Sequence, residues 1–156
     1  DEITAVLGHE IGHAKLHHTI TRLFLGLMLS FLQMFMLGRF IQDKYLARAF
    51  FLDEPSVYTG MLLFSVVWGV VEFFLAVPIT VSARSDEYAA DRFAIEAHPD
   101  YARHLGEGLK KLSKNSRCNL TPHPFHVFLH DTHPPLLARL RAIAEHHLRV
   151  YGGSCA

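Results

Sequence analysis

The chain has 156 residues, the length of one ordinary domain, and 50% of them are hydrophobic. Its fifteen basic and fifteen acidic residues give a formal net charge of zero, which argues against nucleic acid as a partner. The apolar residues are concentrated in two long stretches, and this uneven distribution indicates membrane-spanning helices beside polar ones.

The first predicted element is a helix over residues 1–19 that carries a His-Glu-x-x-His motif. In a helix, His9 and His13 lie one turn apart on one face, so both imidazoles can bind a single zinc ion. Glu10 then lies beside the ion and can accept a proton from a water that the zinc activates, as hydrolysis of a peptide bond requires. The alternative interpretation is a pair of helix-surface histidines next to a glutamate.

Other residues around the motif bear on its setting. Gly8 and Gly12 leave room for another segment to approach the helix backbone closely. No methionine, signal peptide or transit sequence precedes the motif, so the chain is expected to be a piece of a longer protein.

The motif alone does not supply a third ligand. Leu16 and Thr19 stand where the metzincin class of zinc peptidases has glycine and histidine, which excludes that class. His17 continues the helical stripe of the two motif histidines, but three ligands in one row cannot surround an ion tetrahedrally. His17 and His18 are therefore expected to be polar residues at the helix end.

Two apolar stretches follow the motif. Residues 23–38 contain no charged side chain, so residues 21–41 are predicted to cross a membrane, with a buried core helix as the alternative. Residues 57–82 form the second predicted span, after a mixed-charge connector at 42–56. Glu72 interrupts this span, and an ionisable residue at membrane depth indicates either a cavity-lining side chain or an ion pair with another helix.

The last predicted region, residues 83–156, is helical and supplies a candidate third ligand. A helix places Glu87 and Asp91 on one face, so Glu87 can bind zinc while Asp91 hydrogen-bonds a ligating imidazole. The alternative is a solvated acidic face that pairs with Arg84 and Arg92.

Four histidines precede a predicted final helix at 136–150; they are His123, His126, His130 and His133. Such a cluster suggests a second metal site. Because no cysteines accompany them at metal-binding spacing, isolated histidines remain the favoured interpretation.

Three motifs together resemble the type I CAAX prenyl proteases. That family comprises intramembrane zinc endopeptidases that process farnesylated proteins, with the bacterial HtpX heat-shock proteases as more distant relatives. The motifs occur in the family's order at residues 7–16, 84–94 and 133–140. The resemblance implies an all-α integral membrane helical bundle with a zinc-metallopeptidase site of the gluzincin type.

The resemblance implies one zinc ion per chain, held by His9, His13 and Glu87. Glu10 is then the general base. Asp91 supports a ligating imidazole without binding the ion itself.

Family resemblance also assigns His133 and Arg139 to the active site. His133, as a neutral donor or a cation, would stabilise the oxyanion of the tetrahedral intermediate. Arg139 would reach back toward Glu87 or Asp91 and orient the zinc ligands. The residues alone leave open a second reading of Arg139, as a surface charge on an arginine-rich helix.

The resemblance further implies a prenylated CAAX protein or peptide as substrate, which loses its last three residues, and membrane lipid as the surroundings. It implies a multi-pass protein of the endoplasmic reticulum membrane with the active site toward the cytosol. An HtpX-like quality-control protease that cleaves misfolded membrane proteins is one alternative. A non-catalytic membrane scaffold with structural zinc is another, and Glu10 argues against it because a structural site has no use for a free carboxylate beside an open coordination position.

Overall fold

The computed structural model describes residues 1–41, 43–51, 53–54 and 56–152. Its helices are α1 (Glu2–Lys15), α2 (His18–Phe40), α3 (Lys44–Ala49), α4 (Val57–Ala97), α5 (Tyr101–Asn115), α6 (Pro124–His130) and α7 (Leu136–Tyr151). The all-α prediction is confirmed, since the described ranges contain no strand. Parts of the predicted connector at 42–56, and the last residues of the predicted region 83–156, lie outside the described residues.

The chain divides into two compact units, one formed by residues 1–19 with 77–156 and the other by residues 20–76. Two helices are long and apolar enough to cross a membrane: α2, with a mean hydropathy of 1.7, and α4, with a mean hydropathy of 2.2 in its most apolar part. These are the two helices of membrane-spanning length that the sequence predicts. Helix α4 does not end with its apolar part but continues without a break to Ala97.

The predicted helix over residues 1–19 is interrupted near its end. Helix α1 ends at Lys15, and α2 begins at His18. His17 between them has a φ of 58°, in the left-handed region that a helix cannot contain. His17 therefore does not continue the helical stripe of the motif histidines.

The unit of residues 1–19 and 77–156 has a small apolar core. Helix α1 packs against α5, and α5 packs against α7. The buried core side chains come from these helices and from the end of α4; they are Ala5, Ala94, Ile95, Leu105 and Ile143. This packing fixes the position of α1 relative to the helices that carry the acidic residues.

Glycines in α1 permit the close approach that the sequence predicts. A Cβ at Gly12 would lie 3.1 Å from Cα of Ala90 and 3.2 Å from its carbonyl oxygen, so α4 passes almost in backbone contact with α1. At Gly8 a Cβ would lie 3.3 Å from the ring of Tyr101. Because these glycines have no side chain, α1 can approach α4 closely enough for the motif histidines to reach it.

Proline sets the start of the last helix. Pro134 and Pro135 come directly before α7, and proline is well suited to the positions just before and at the first turn of a helix. The backbone N–H of Arg139 donates to the carbonyl of Pro135 at 3.1 Å, so Arg139 lies in the first turn of α7. Its side chain thereby projects from the beginning of the helix.

Candidate metal centre

Three side chains converge at the contact of α1 and α4. Nε2 of His9 and Nε2 of His13 are 3.2 Å apart. Glu87 completes the group, with Oε1 at 3.4 Å from His13 Nε2 and Oε2 at 3.7 Å from His9 Nε2. Ligands at about 2.0–2.1 Å from a tetrahedral ion are separated by roughly 3.3–3.4 Å. The His9–His13 and His13–Glu87 distances are close to that value, and the His9–Glu87 distance is somewhat longer.

The protonation of His13 also suits a metal ion. Burial and the neighbouring His9 lower the pKa of His13, although the carboxylate of Glu87 opposes them, so the His13 imidazole is neutral at neutral pH. Only neutral imidazoles offer a lone pair to a metal. Two imidazoles and a carboxylate that face one point therefore form a donor set that a divalent metal ion fits.

Asp91 lies directly behind His9. Oδ1 of Asp91 is 2.9 Å from His9 Nδ1, although the ring N–H points too far from the oxygen for a well-formed hydrogen bond. The short distance and the burial of both groups make this a close polar contact that holds Nδ1 on the side away from the proposed metal position. Such a carboxylate fixes the ring orientation and the tautomer of a ligating histidine.

Arg139 joins the two acidic residues of α4. Its Nε and Nη2 donate to Asp91 Oδ2 and Oδ1 at 2.9 and 2.7 Å, and its Nη1 lies 3.0 Å from Glu87 Oε2. Burial disfavours the charged guanidinium, but the contacts with Asp91 and Glu87 outweigh burial and raise the pKa of Arg139 above its ordinary value. Arg139 therefore remains a cation.

Burial decides between the alternatives that the sequence leaves open. Glu87 is 4% exposed, Asp91 is 2% exposed and Arg139 is 8% exposed. A solvated acidic face on α4 and a surface charge at Arg139 are both excluded, since all three side chains are enclosed and paired with one another. In Asp91, burial opposes ionisation, but the contacts with His9 and Arg139 prevail and hold its pKa below the ordinary value.

Two of the predicted site residues, which we call the open side of the centre, are exposed to solvent. His133 has a side chain that is 67% exposed, and its Nδ1 is 3.2 Å from Glu87 Oε2. Glu10 follows His9 in α1 and is exposed to solvent. The structure thus brings His133 against a ligand and leaves Glu10 accessible beside another.

The comparisons with known proteins bear on this centre. The model of peptidase family M48 matches residues 1–147, which include all of the residues above. The chain belongs to peptidase family M48. The resemblance to the CAAX prenyl proteases that the three motifs predict is confirmed by relatives of that name.

Relatives within this family share a similar stretch of sequence. The CAAX prenyl protease 1 homolog of Homo sapiens is 36% identical over 145 residues, which cover 92% of the chain and 30% of that relative. The homolog of Arabidopsis thaliana is 34% identical over 145 residues, with coverages of 92% and 33%. The chain thus spans about a third of the length of these curated relatives.

A solved structure shows the same fold. The crystal structure of S. mikatae Ste24p superposes with a TM-score of 0.76 at 24% sequence identity, over 90% of this chain and 36% of that one. Over that range, this M48 chain therefore has the same fold as the solved structure.

Sequence reasoning missed one residue of the centre. His18, which was expected to be an ordinary polar residue, lies with its Nδ1 3.0 Å from His13 Nδ1. Its Nε2 lies 3.7 Å from Asp86 Oδ1. His18 thus supports His13 from behind, as Asp91 supports His9. No helical periodicity could reveal it, because the left-handed residue His17 brings His18 back toward His13.

The later histidines do not form a second metal site within the described residues. His123 caps its own helix, accepting from the backbone N–H of Phe125 at 3.2 Å. Nδ1 of His126 is 3.4 Å from Asp131 Oδ1, while His133 faces Glu87 instead. The rings of His126 and His130 are neighbours, with their centroids 5.2 Å apart.

Proposed function

We propose that this chain carries the catalytic site of a membrane zinc metalloendopeptidase that removes the C-terminal tripeptide from prenylated CAAX proteins. The observation that carries the proposal is the convergence of His9, His13 and Glu87 beside an exposed Glu10. Membership of family M48 and the CAAX prenyl protease names of the relatives support the reaction and the substrate class.

The proposed metal is a single zinc ion. Two imidazoles and one carboxylate are a typical ligand set of catalytic zinc, whereas magnesium and calcium prefer oxygen ligands alone. Three protein ligands leave a fourth position open for water or substrate, as catalytic sites require. When bound, zinc supplies a Lewis acid that polarises a carbonyl oxygen and increases the acidity of water.

Glu10 is the proposed general base. It neighbours a ligand in the sequence but is not among the three converging side chains, and solvent reaches it. Glu10 therefore can accept a proton from the attacking water and later transfer that proton to the leaving amine. A base with these properties distinguishes a hydrolytic site from a structural one.

His133 is the proposed donor to the oxyanion. Its exposure lets a substrate carbonyl approach the ring, and its contact with Glu87 Oε2 holds Nδ1 so that Nε2 remains available. A donor fixed beside a developing negative charge stabilises the transition state more than the ground state. Arg139, which is buried against Asp91 and Glu87, keeps the groups behind the site in place.

The membrane is part of the proposal. Helices α2 and α4 have the length and the apolarity of membrane spans, and a prenyl chain partitions into the same lipid phase. Following the family resemblance, we assign the protein to the endoplasmic reticulum membrane as a multi-pass protein with its active site toward the cytosol. A lipid-anchored substrate would then reach the site along the membrane surface.

The test uses the full-length protein, purified in detergent, with a farnesylated CAAX peptide and the same peptide without the farnesyl group. Mass spectrometry measures the released tripeptide and the zinc content per chain. We expect about one zinc per chain and cleavage of the farnesylated peptide alone. Glu10→Gln should retain the zinc and lower the cleavage rate by about 10²–10⁴-fold, the usual contribution of a general base.

An exposed glutamate on α5, Glu107, provides the matched control, and Glu107→Gln should cleave at the wild-type rate. Equal cleavage of both peptides would refute the prenylated substrate and favour a quality-control protease. Loss of zinc in Glu10→Gln, or undiminished cleavage by that variant, would remove Glu10 from its role as the base.

A further inference from the structure

Arg84 on α4 is a cation that has no role in the proposed mechanism. It is half-buried, and its Nη1 donates to the carbonyl of Val127 at 2.8 Å and to the carbonyl of Asp131 at 2.5 Å. Its Nη2 lies 3.5 Å from the carbonyl of Phe128. One guanidinium thus meets three backbone carbonyls, and none of these contacts involves a side-chain acid.

These carbonyls belong to the C-terminal end of α6. The last carbonyls of a helix lack partners within the helix, and they carry the negative end of its dipole. Arg84 donates to the carbonyls of Phe128 and Asp131 and supplies the complementary charge. It also adds a second donor to the carbonyl of Val127, which accepts from the backbone N–H of Asp131 at 3.3 Å. Thr80, one turn earlier on α4, adds a hydroxyl donor to the carbonyl of Phe128 at 3.4 Å.

The anchored segment leads directly to the active site. Asp131, whose carbonyl Arg84 binds, is followed two residues later by His133. Arg84 and Glu87 are three residues apart on α4 and so share one face of that helix. The same helix face therefore holds the segment that carries His133 and presents the ligand that His133 contacts at 3.2 Å.

We propose that Arg84 is a positioning residue that fixes the end of α6 to α4 and thereby places His133 beside Glu87. His133 is exposed and comes from a seven-residue helix and a short loop, which alone hold a side chain poorly. Misplacement of a catalytic group by about 1 Å can cost up to 10²-fold in rate. The inference rests on the proposed function for His133, but the anchoring itself does not.

The first arm of the test measures the anchoring without catalysis. Hydrogen exchange of peptides that cover residues 127–133 is compared in the full-length, zinc-loaded wild type, in Arg84→Ala and in Arg92→Ala. Arg92 is an exposed arginine on the same helix and serves as the matched control. We expect exchange to be about tenfold faster in Arg84→Ala alone, since local opening becomes more favourable. Unchanged exchange would overturn the inference.

The second arm measures coupling to His133. Arg84→Ala should lower kcat for the farnesylated peptide about tenfold, with KM within about twofold and zinc unchanged, because positioning acts on the chemical step. In a His133→Ala background the same substitution should have no further effect. An equal loss of kcat in both backgrounds would show that Arg84 does not act through His133, which would overturn the inference.

A conservative variant distinguishes loss of the proposed positioning from misfolding of the protein. Arg84→Lys keeps the charge but cannot donate to three carbonyls in the fixed geometry of a guanidinium, so smaller effects in the same direction are expected. Loss of zinc in both Arg84 variants would overturn the inference, since Arg84 would then support the fold as a whole. If the wild type does not cleave the peptide, the proposed function fails, while the exchange measurement still decides whether Arg84 anchors residues 127–133.

Discussion

The two sides of the metal centre differ in their access to water. On the enclosed side, Asp91 is 2% exposed and Arg139 is 8% exposed, and two hydrogen bonds join them. On the open side, Glu10 is exposed and the side chain of His133 is 67% exposed. Electrostatic contacts strengthen when water is excluded, whereas groups that exchange protons with substrate must be reachable. The residues proposed to support the metal ligands are thus enclosed, and the residues proposed to take part in the reaction are open to solvent.

A substitution on the enclosed side should have the largest effect on stability and zinc affinity. Arg139→Ala leaves Asp91 and Glu87 buried without their cation, and removal of one partner of a buried pair costs about 3–5 kcal/mol. We therefore expect a lower melting temperature in detergent and a zinc affinity reduced by about 10–100-fold. Thermal unfolding and chelator titration of the purified protein measure these effects.

Arg141 lies on the same helix, is exposed, and provides the control for that experiment. Arg141→Ala should match the wild type in both measurements. A full-affinity zinc site in Arg139→Ala would mean that the enclosed side does not hold the ligands.

A substitution on the open side should lower the catalytic rate without lowering the zinc content or the melting temperature. His133→Ala removes the proposed donor to the oxyanion, so kcat should fall by about 10²–10³-fold, or roughly 2.7–4 kcal/mol. Zinc content and melting temperature should stay at wild-type values, because His133 is largely exposed. Steady-state kinetics with His130→Ala as the control variant tests this; zinc loss in His133→Ala would place His133 with the residues that support the metal ligands instead.

A smaller effect is expected where α1 meets α4. In Gly12→Ala the new methyl group lies 3.1 Å from the Cα of Ala90, so a backbone must shift, and overpacking costs about 1–3 kcal/mol. The better helix propensity of alanine returns about 0.5–1 kcal/mol of this loss. Zinc should therefore dissociate at a lower chelator concentration than in the wild type.

Gly8→Ala is the comparison variant, because the three atoms nearest to its methyl group are side-chain atoms of Tyr101 and Ala94, the nearest at 3.3 Å, and the Tyr101 ring can move. That variant should bind zinc as the wild type does. Equal behaviour of the two variants would show that the backbone contact at Gly12 does not position the motif histidines.

Local patterns predicted the helices and most of the centre. Helical periodicity suffices to bring His9 to His13 and to place Glu87 and Asp91 on one face, since both pairs are four residues apart. The position of Arg139 near the start of a helix follows from the two prolines before α7. That these segments lie together required the family resemblance, because no local signal specifies their packing.

The contacts and the turn that the sequence did not predict depend on tertiary structure. The turn at His17 uses a left-handed conformation without glycine, which sequence propensity does not indicate. His18 beside His13 follows from that turn. The contacts of Arg84 with the carbonyls of α6 likewise exist only after α6 has docked, and the sequence alone suggested an acidic partner for that arginine.

The distance along the chain between the parts of the centre has a consequence for the order of its assembly. His9 and Arg139, which both contact Asp91, are separated by 130 positions in the sequence. At a synthesis rate of about 5–20 residues per second, Arg139 is added roughly 6–26 s after His9. The three proposed metal ligands are therefore all synthesised before α7, whereas the contacts of Arg139 with Asp91 and Glu87 form only after α7 has been synthesised and has docked.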